Sequence, residues 1–259
     1  MTERVNILGV GVDPLNLPGA VTAIGEAIRT HAKGYICVTG VHGVSEAQDD
    51  PVFRDILNRA FLNTPDGMPM VWMGWWQGRR GMGRVYGPDL MLEICRVSEQ
   101  THWRHFFYGG APGVAEQLAA SLQSRFPNLT VAGTYTPPFR PLNEEETEKL
   151  RVLIAKNKPD IIWVGLSTPK QEAFMAGILS CLDTTLMIGV GAAFDLLSGR
   201  VRQAPRWVQR SGFEWLYRLV QEPGRLWKRY LKNNPLFVWR AFLQLTGLRR
   251  YDLEAKQKT

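Results

Sequence analysis

One acidic residue, Asp66, ends an apolar run in Phe61-Leu-Asn-Thr-Pro-Asp66-Gly-Met-Pro69. Set between a proline and a glycine, it reads as a loop residue at the end of a buried strand, where α/β sheets place their ligands. A carboxylate in that position can act as a general base toward a substrate hydroxyl within hydrogen-bond reach. Pro-Asp-Gly is also an ordinary turn, so the assignment depends on the company Asp66 keeps. Four further segments carry chemistry. Tyr108-Gly109-Gly110-Ala-Pro-Gly113 is a strand-to-helix turn whose glycines admit a ligand to the backbone, with helix-terminal amides suited to a phosphate. It departs from the GxGxxG dinucleotide fingerprint, and tight helix–strand packing accounts equally for its glycines.

In Val164-Gly-Leu-Ser-Thr-Pro-Lys170-Gln171-Glu172, Ser167 or Thr168 caps a helix that Pro169 opens. Lys170 and Gln171 then lie in its first turn, within reach of an anion or a sugar hydroxyl. A lysine there opposes the helix dipole, a misfit of the kind that collects at functional sites. Ile188-Gly-Val-Gly-Ala-Ala-Phe-Asp195 is another glycine-rich turn, and Thr39-Gly-Val-His42 is the fourth segment. His42 is a candidate base, although a lone histidine is more often a hydrogen-bonded structural residue.

The elements that must position these residues alternate. Strands are predicted over Val5–Val10, Tyr35–Thr39, the run ending at Asp66, His105–Tyr108, Leu129–Tyr135, Ile161–Val164 and Leu186–Val190. Helices are predicted over Pro18–His31, Pro51–Ala60, Leu90–Gln100, Val114–Phe126, Glu144–Asn157 and Pro169–Leu179. Thr39 and His42 fall in the loop after the second strand, and 84–89 form a loop. Such alternation implies an α/β, Rossmann-like, mostly parallel sheet with helices on both faces.

The chain has 259 residues and a formal charge of +7, unevenly distributed. Residues 200–259 hold 14 Lys/Arg against 4 Asp/Glu, or +10, which leaves −3 for residues 1–199. We therefore divide the chain into an α/β catalytic domain, 1–199, and a basic helical appendage, 200–259. In the appendage Trp207, Phe213, Trp215, Leu216, Val220, Trp227 and Tyr230 recur at three- and four-residue spacing among Arg202, Arg206, Arg210, Arg218, Lys228 and Arg229. That pattern suits helices lying in an anionic membrane interface, and also helices packed on their own domain. Pro223-Gly224 and Pro235 are expected to break it into short helices. Cys37, Cys95 and Cys181 read as reduced core residues, with neither a disulfide framework nor a cysteine metal site. No window reaches the roughly 18 apolar residues of a membrane span, so membrane contact is expected to be peripheral.

In this order, Thr-Pro-Asp66-Gly-Met-Pro, Arg84 with Tyr-Gly-Pro-Asp-Leu, Phe-Tyr-Gly-Gly-Ala-Pro-Gly113, Gly-Leu-Ser-Thr-Pro-Lys-Gln-Glu172 and Gly-Val-Gly-Ala-Ala-Phe-Asp-Leu-Leu-Ser-Gly-Arg-Val-Arg-Gln-Ala-Pro205 resemble the WecG/TagA/CpsF family of bacterial glycosyltransferases, from about residue 5 to about residue 240. The resemblance implies inverting transfer from a UDP-sugar to an acceptor sugar on a polyprenyl diphosphate, at the cytoplasmic face of the membrane and without a required metal. It implies Asp66 as general base, Thr39 and Gln171 at the sugar, and Arg84 at the diphosphate. Where the family often carries Asn two residues after the threonine this chain has Val41, with His42 next in line to compensate. N-acetylmannosamine, its uronic acid and glucose are all donor sugars within the family's range.

The residues agree with that chemistry on their own terms. No Asp-x-Asp pair is present to hold a metal on a diphosphate, so Arg84 and the amides at Gly109, Gly110 and Gly113 are assigned to it, with Arg202 and Arg206 toward the acceptor's diphosphate. Neither metal nor cofactor is expected, and a homo-oligomer is compatible with the sequence. A nucleotide-binding oxidoreductase would use the glycine turns, but the first strand leads into Gly11-Val-Asp-Pro without a fingerprint. A nucleic-acid binder would use the basic tail, but not the acidic balance of residues 1–199.

Overall fold

The computed structural model describes residues 3–253, so the last six residues of the basic segment, 254–259, lie outside the described residues. In chain order the elements begin with β1 (Val5–Ile7), β2 (Val10–Val12), α1 (Leu17–Arg29), β3 (Gly34–Thr39), α2 (Val41–Asp49), α3 (Pro51–Arg59), β4 (Leu62–Pro65) and α4 (Met68–Trp76). There follow α5 (Gly87–Thr101), β5 (Arg104–Gly109), α6 (Val114–Arg125), β6 (Thr130–Tyr135), α7 (Glu144–Asn157), β7 (Ile161–Gly165), α8 (Lys170–Ile178) and β8 (Leu186–Gly189). The chain ends in α9 (Ala193–Leu197), α10 (Arg206–Ser211), α11 (Glu214–Gln221) and α12 (Pro223–Leu245).

A six-stranded sheet runs in the order β4-β3-β8-β7-β5-β6. Its pairs β3–β8, β8–β7, β7–β5 and β5–β6 are all parallel. Ile36, Cys37, Ile161–Val164 and Leu186–Ile188 are buried, the continuous apolar run of strands covered on both faces. This is the α/β architecture that the alternation of strands and helices predicts. By its internal contacts the chain divides into two compact units. The first holds residues up to Leu17, Val38–Tyr86 and the chain from Gln203 on; the second holds Pro18–Cys37 and Gly87–Arg202.

In the first unit the single strand expected over Val5–Val10 is a two-residue hairpin, with β1 antiparallel to β2. Leu8 and Gly9 take φ of 52° and 82°, the left-handed pair that tight hairpins require. Asn6 Oδ1 accepts from the Gly9 amide at 2.8 Å. Leu8 is fully buried, so an apolar residue makes the turn and hides it in the sequence. Asp50 caps α3 by accepting from the Phe53 amide at 3.0 Å. The strand β4 is then pinned by polar contacts. Arg4 donates to Asp13 at 3.0 Å and to the carbonyls of Asn58 at 2.9 Å and Ala60 at 2.7 Å. Asp13 in turn accepts from the Asn63 amide at 2.7 Å.

The C-terminal helices pack within this same unit. The expected break at Pro235 is absent: α12 runs on through it, because Leu226, Phe237 and Ala241 are buried and tertiary packing outweighs the lost hydrogen bond.

In the second unit the core is aromatic: Phe106, Phe107, Tyr108 and Trp163 are buried on β5 and β7. His105 belongs to this core. Its Nδ1 accepts from Trp163 Nε1 at 2.9 Å, which leaves the Nε2 hydrogen for Ser98 Oγ at 2.8 Å, and Ser98 donates to the Ile94 carbonyl at 2.7 Å. Burial pushes its pKa down to about 3, so the ring is neutral and structural. Cys95 is buried and its thiol is pushed up to about 12, whereas Cys181, expected in the core, is exposed. It lies in a short 3-10 turn, Leu179–Cys181, that buries none of its residues.

Candidate active site

In the first unit, β3 and β4 deliver Thr39 and Asp66 to adjacent positions. The Asp66 amide donates to the Thr39 carbonyl at 2.9 Å, so both residues stand at the carboxyl ends of their strands. Gly40 makes the approach possible: a Cβ there would stand 3.0 Å from the Asp66 carbonyl oxygen and 3.7 Å from Oδ2. Gly67, at φ 89°, then turns the chain into α4. Thr39 is buried, and its Oγ1 has no hydrogen-bond partner among the described residues. A buried hydroxyl left this way calls for a ligand or water.

Arg84 joins them. The amide of Val85 donates to the Pro65 carbonyl at 2.8 Å, which lays the 84–86 segment along the end of β4. Arg84 Nε lies 3.8 Å from Asp66 Oδ1, and Nη2 donates to Glu214 Oε2 in a short ion pair. Nη1 donates to the Gln209 carbonyl at 3.2 Å, and the guanidinium sits 4.0 Å over the Tyr86 ring. Burial opposes the charge on Arg84, but Asp66 and Glu214 outweigh it and hold its pKa above the ordinary value. Burial, followed by the Glu214 carboxylate, pushes the Tyr86 phenol upward, so it stays protonated. The core of this site is therefore one cation shared by two carboxylates, with Gln209 and Glu214 contributed by α10 and α11.

His42 is not in a loop, as expected, but in the first turn of α2. Its Nδ1 lies 2.9 Å from Asn233 Nδ2 on α12 and 3.4 Å from Glu46 Oε1. Arg206, the first residue of α10, is exposed.

The remaining candidates belong to the second unit. Gly109 and Gly110 have local packing reasons. A Cβ at Gly109 would stand 2.7 Å from the Gly165 backbone, and one at Gly110 would stand 2.9 Å from Val114 Cβ. Gly113, at φ 81°, opens α6 with empty space beside it and no side-chain cap. Glu116 already occupies that helix's first turn, where it accepts from Thr134 at 3.0 Å. Lys170 begins α8, and its ammonium lies 4.9 Å over the Phe139 ring. Neither Ser167 nor Thr168 caps that helix: the cap position is Pro169, and the Thr168 hydroxyl donates to Glu172 Oε1 at 2.9 Å. Gln171 is buried beside Glu172, and Arg202 is exposed.

Glu214, Tyr86, Glu172 and Asn233 are the polar residues that sequence reasoning missed. Glu214 carried a faint signal, as one of only four acidic residues among 200–259. Among the described residues, no group of three or more His, Cys, Asp or Glu is arranged to hold a metal ion. No described helix is long and apolar enough to cross a membrane.

Comparison with known proteins gives these features a context. Residues 5–251 match the family described as "Glycosyl transferase WecG/TagA/CpsF family". The chain is 32% identical over 182 residues to an N-acetylglucosaminyldiphosphoundecaprenol N-acetyl-beta-D-mannosaminyltransferase of Bacillus subtilis (strain 168), which covers 70% of this chain and 69% of the relative. It is 28% identical over 243 residues to a protein of the same name from Staphylococcus aureus (strain MW2), covering 92% of each. The match selects glycosyl transfer over the oxidoreductase and nucleic-acid readings, and its span agrees with the resemblance carried by the five motifs. The chain belongs to the WecG/TagA/CpsF family of glycosyltransferases.

Proposed function

We propose that this glycosyltransferase moves N-acetylmannosamine from its UDP conjugate to a polyprenyl-diphosphate-linked N-acetylglucosamine. The observation that carries the reading is the Asp66–Arg84 pair at the end of β4, in a chain whose relatives are named for that transfer. Asp66 takes the proton of the acceptor hydroxyl as its oxygen attacks the anomeric carbon. The bond from that carbon to the diphosphate breaks, and UDP leaves with the electron pair. The relatives' names specify a β-linked product, which from an α-linked nucleotide sugar is inversion in one displacement. Thr39 supplies a hydrogen bond to the donor sugar, and Arg84 supplies positive charge beside the base, so the reaction runs without a metal. The test is transfer by purified protein from UDP-N-acetylmannosamine to a polyprenyl diphosphate bearing N-acetylglucosamine, with and without EDTA. Product in both is expected; loss of product with EDTA would remove metal independence, and no product in either would remove the donor assignment.

The acceptor requires a lipid surface, and we assign that contact to the exposed face of α10–α12 at the inner face of the membrane. Trp207 is 74% exposed, and Phe213, Val220, Leu231, Trp239 and Phe242 are also exposed. Lys228 and Lys232 are exposed in the same segment, and Arg229 is half-buried. Each basic residue near an anionic surface contributes about 1 kcal/mol, and the aromatics bury their rings at the headgroup boundary. Deleting the segment would strip buried Leu226 and Phe237 from the first unit, so point substitutions are the cleaner test. A Trp207→Ser, Trp239→Ser, Phe242→Ser triple variant should keep its Tm and lose at least about tenfold in binding to phosphatidylglycerol vesicles. Unchanged vesicle binding would exclude this face as the anchor.

A further inference from the structure

The helix that leaves the end of β4 is apolar on every side and still reaches the surface. α4 begins at Met68, just past Asp66 and Gly67, and contains no charged residue. Met70, Val71, Met73 and Gly74 are buried, and the Met82 side chain uses the room that Gly74 leaves. Met68, Trp72, Trp75 and Trp76 fall at i, i+4, i+7 and i+8 and form the opposite stripe. Trp75 is pinned by its Nε1, which donates to the Met82 carbonyl at 2.9 Å. Trp72 is 42% exposed and Trp76 75%. A helix apolar all round is normally enclosed, so an open row of indoles on one marks a surface that binds something.

The stripe is bordered by the corner between α10 and α11. Gly212, at φ 82°, ends α10, and a Cβ there would stand 2.7 Å from the Trp72 ring, so this glycine serves both the turn and the indole. Phe213, next in the chain, is exposed. Arg84 holds the same corner through the Gln209 carbonyl at 3.2 Å and through Glu214. The stretch 209–214 therefore touches both the cation beside Asp66 and the first indole of the stripe. All of these residues belong to the first unit. Apolar surface thus starts beside the base, follows α4, and meets at Phe213 the face assigned above to the lipid surface. A helix lying among headgroups carries basic residues along a polar face. α4 has none, which suits an uncharged hydrocarbon chain. An acceptor whose sugar hydroxyl stands at Asp66 needs such a path for its lipid on the way to the bilayer.

We infer that the α4 stripe, with Trp72 and Trp76 at its centre and Phe213 beside it, binds the first isoprene units of the acceptor's polyprenyl chain. The inference rests on the acceptor reading given above and adds to it the subsite for the lipid. Its test uses N-acetylglucosamine diphosphate esters of methanol and of geraniol, assayed without vesicles or detergent so that no bilayer takes part. The wild type should show an acceptor KM at least about tenfold lower for the geranyl ester, the effect of burying a short hydrocarbon chain. Trp76→Ser, at the most exposed position of the stripe, should keep its Tm, raise the KM for the geranyl ester about tenfold, and change kcat and the donor KM less than about twofold, as expected for a binding contact shared by ground and transition states. Trp72→Leu should act in the same direction, and Trp76→Phe, which keeps an aromatic ring, should retain most of the preference. A wild type that treats the two esters alike, or a geranyl preference left intact by both Trp76→Ser and Trp72→Leu, would overturn the inference. Loss of binding to phosphatidylglycerol vesicles with the geranyl preference intact would also overturn it, and would make α4 a bilayer contact. A wild type that turns over neither ester overturns the acceptor reading and this inference with it, whereas an active wild type with an unaltered preference in the variants overturns the inference alone.

Discussion

Asp66→Asn should lower kcat by about 10²- to 10⁴-fold, the range lost when a positioned general base is removed, while UDP still raises Tm as in wild type. The two readouts separate chemistry from binding. Asparagine matches the shape of aspartate and leaves the Asp66 backbone amide on the Thr39 carbonyl, so the end of β4 keeps its geometry. What it loses is the lone pair that takes a proton from the acceptor hydroxyl. The substitution also puts an asparagine directly before Gly67, a sequence prone to deamidation back to aspartate, so residual turnover that grows with storage is reverted protein. Asp66→Ala, which cannot revert, should show the same deficit. If either variant, freshly purified, transfers sugar at near the wild-type rate, Asp66 is not the base.

How far the fold was legible depended on where each signal resides. The buried strands were readable because their apolar runs are continuous, as in Ile161–Val164 and Leu186–Ile188. The helix Glu144–Asn157 was readable to the residue, and the structure adds the reason for its sharp start: Asn143 and Glu146 cap one another at 2.8 and 2.9 Å. The turn at Leu8-Gly9 was not readable, because a buried leucine took a conformation usually left to asparagine or glycine. Nor was α4, whose run Met-Pro-Met-Val-Trp-Met-Gly-Trp-Trp is apolar on every side and shows no helical period. Of the candidate site, Asp66, Thr39 and Arg84 were legible one by one through their motifs, and the structure brings these three together in the first unit. Their partner Glu214 was not, since an ion pair between residues 130 apart in sequence leaves no local trace. Glu172 was hidden for another reason. Its carboxyl is buried against the Thr168 hydroxyl and the Gln171 amide, and that burial is not visible until α8 is packed.

That long-range pair gives the second prediction. Arg84 and Glu214 have side chains only 15% and 13% exposed, so removing one partner leaves a poorly solvated charge. Arg84→Met should therefore cost about 3 kcal/mol in denaturant unfolding, toward the lower end for a buried pair because some solvent reaches both groups. The loss comes from Glu214 stranded near Asp66 without a cation. Adding Glu214→Gln removes the stranded charge, and the double variant should recover most of that stability. Transfer should not recover with it. Without the guanidinium 3.8 Å from Asp66, the base loses its charged neighbour and the departing diphosphate loses positive charge, so both variants should stay at least about tenfold below wild type in kcat. A double variant that regained stability and transfer together would mean that Arg84 serves only to neutralise Glu214, and that α11 uses the pair to hold the 84–86 segment in place. Stability restored while transfer stays low assigns Arg84 to the reaction, because neutralising Glu214 repairs the fold without replacing the charge beside Asp66.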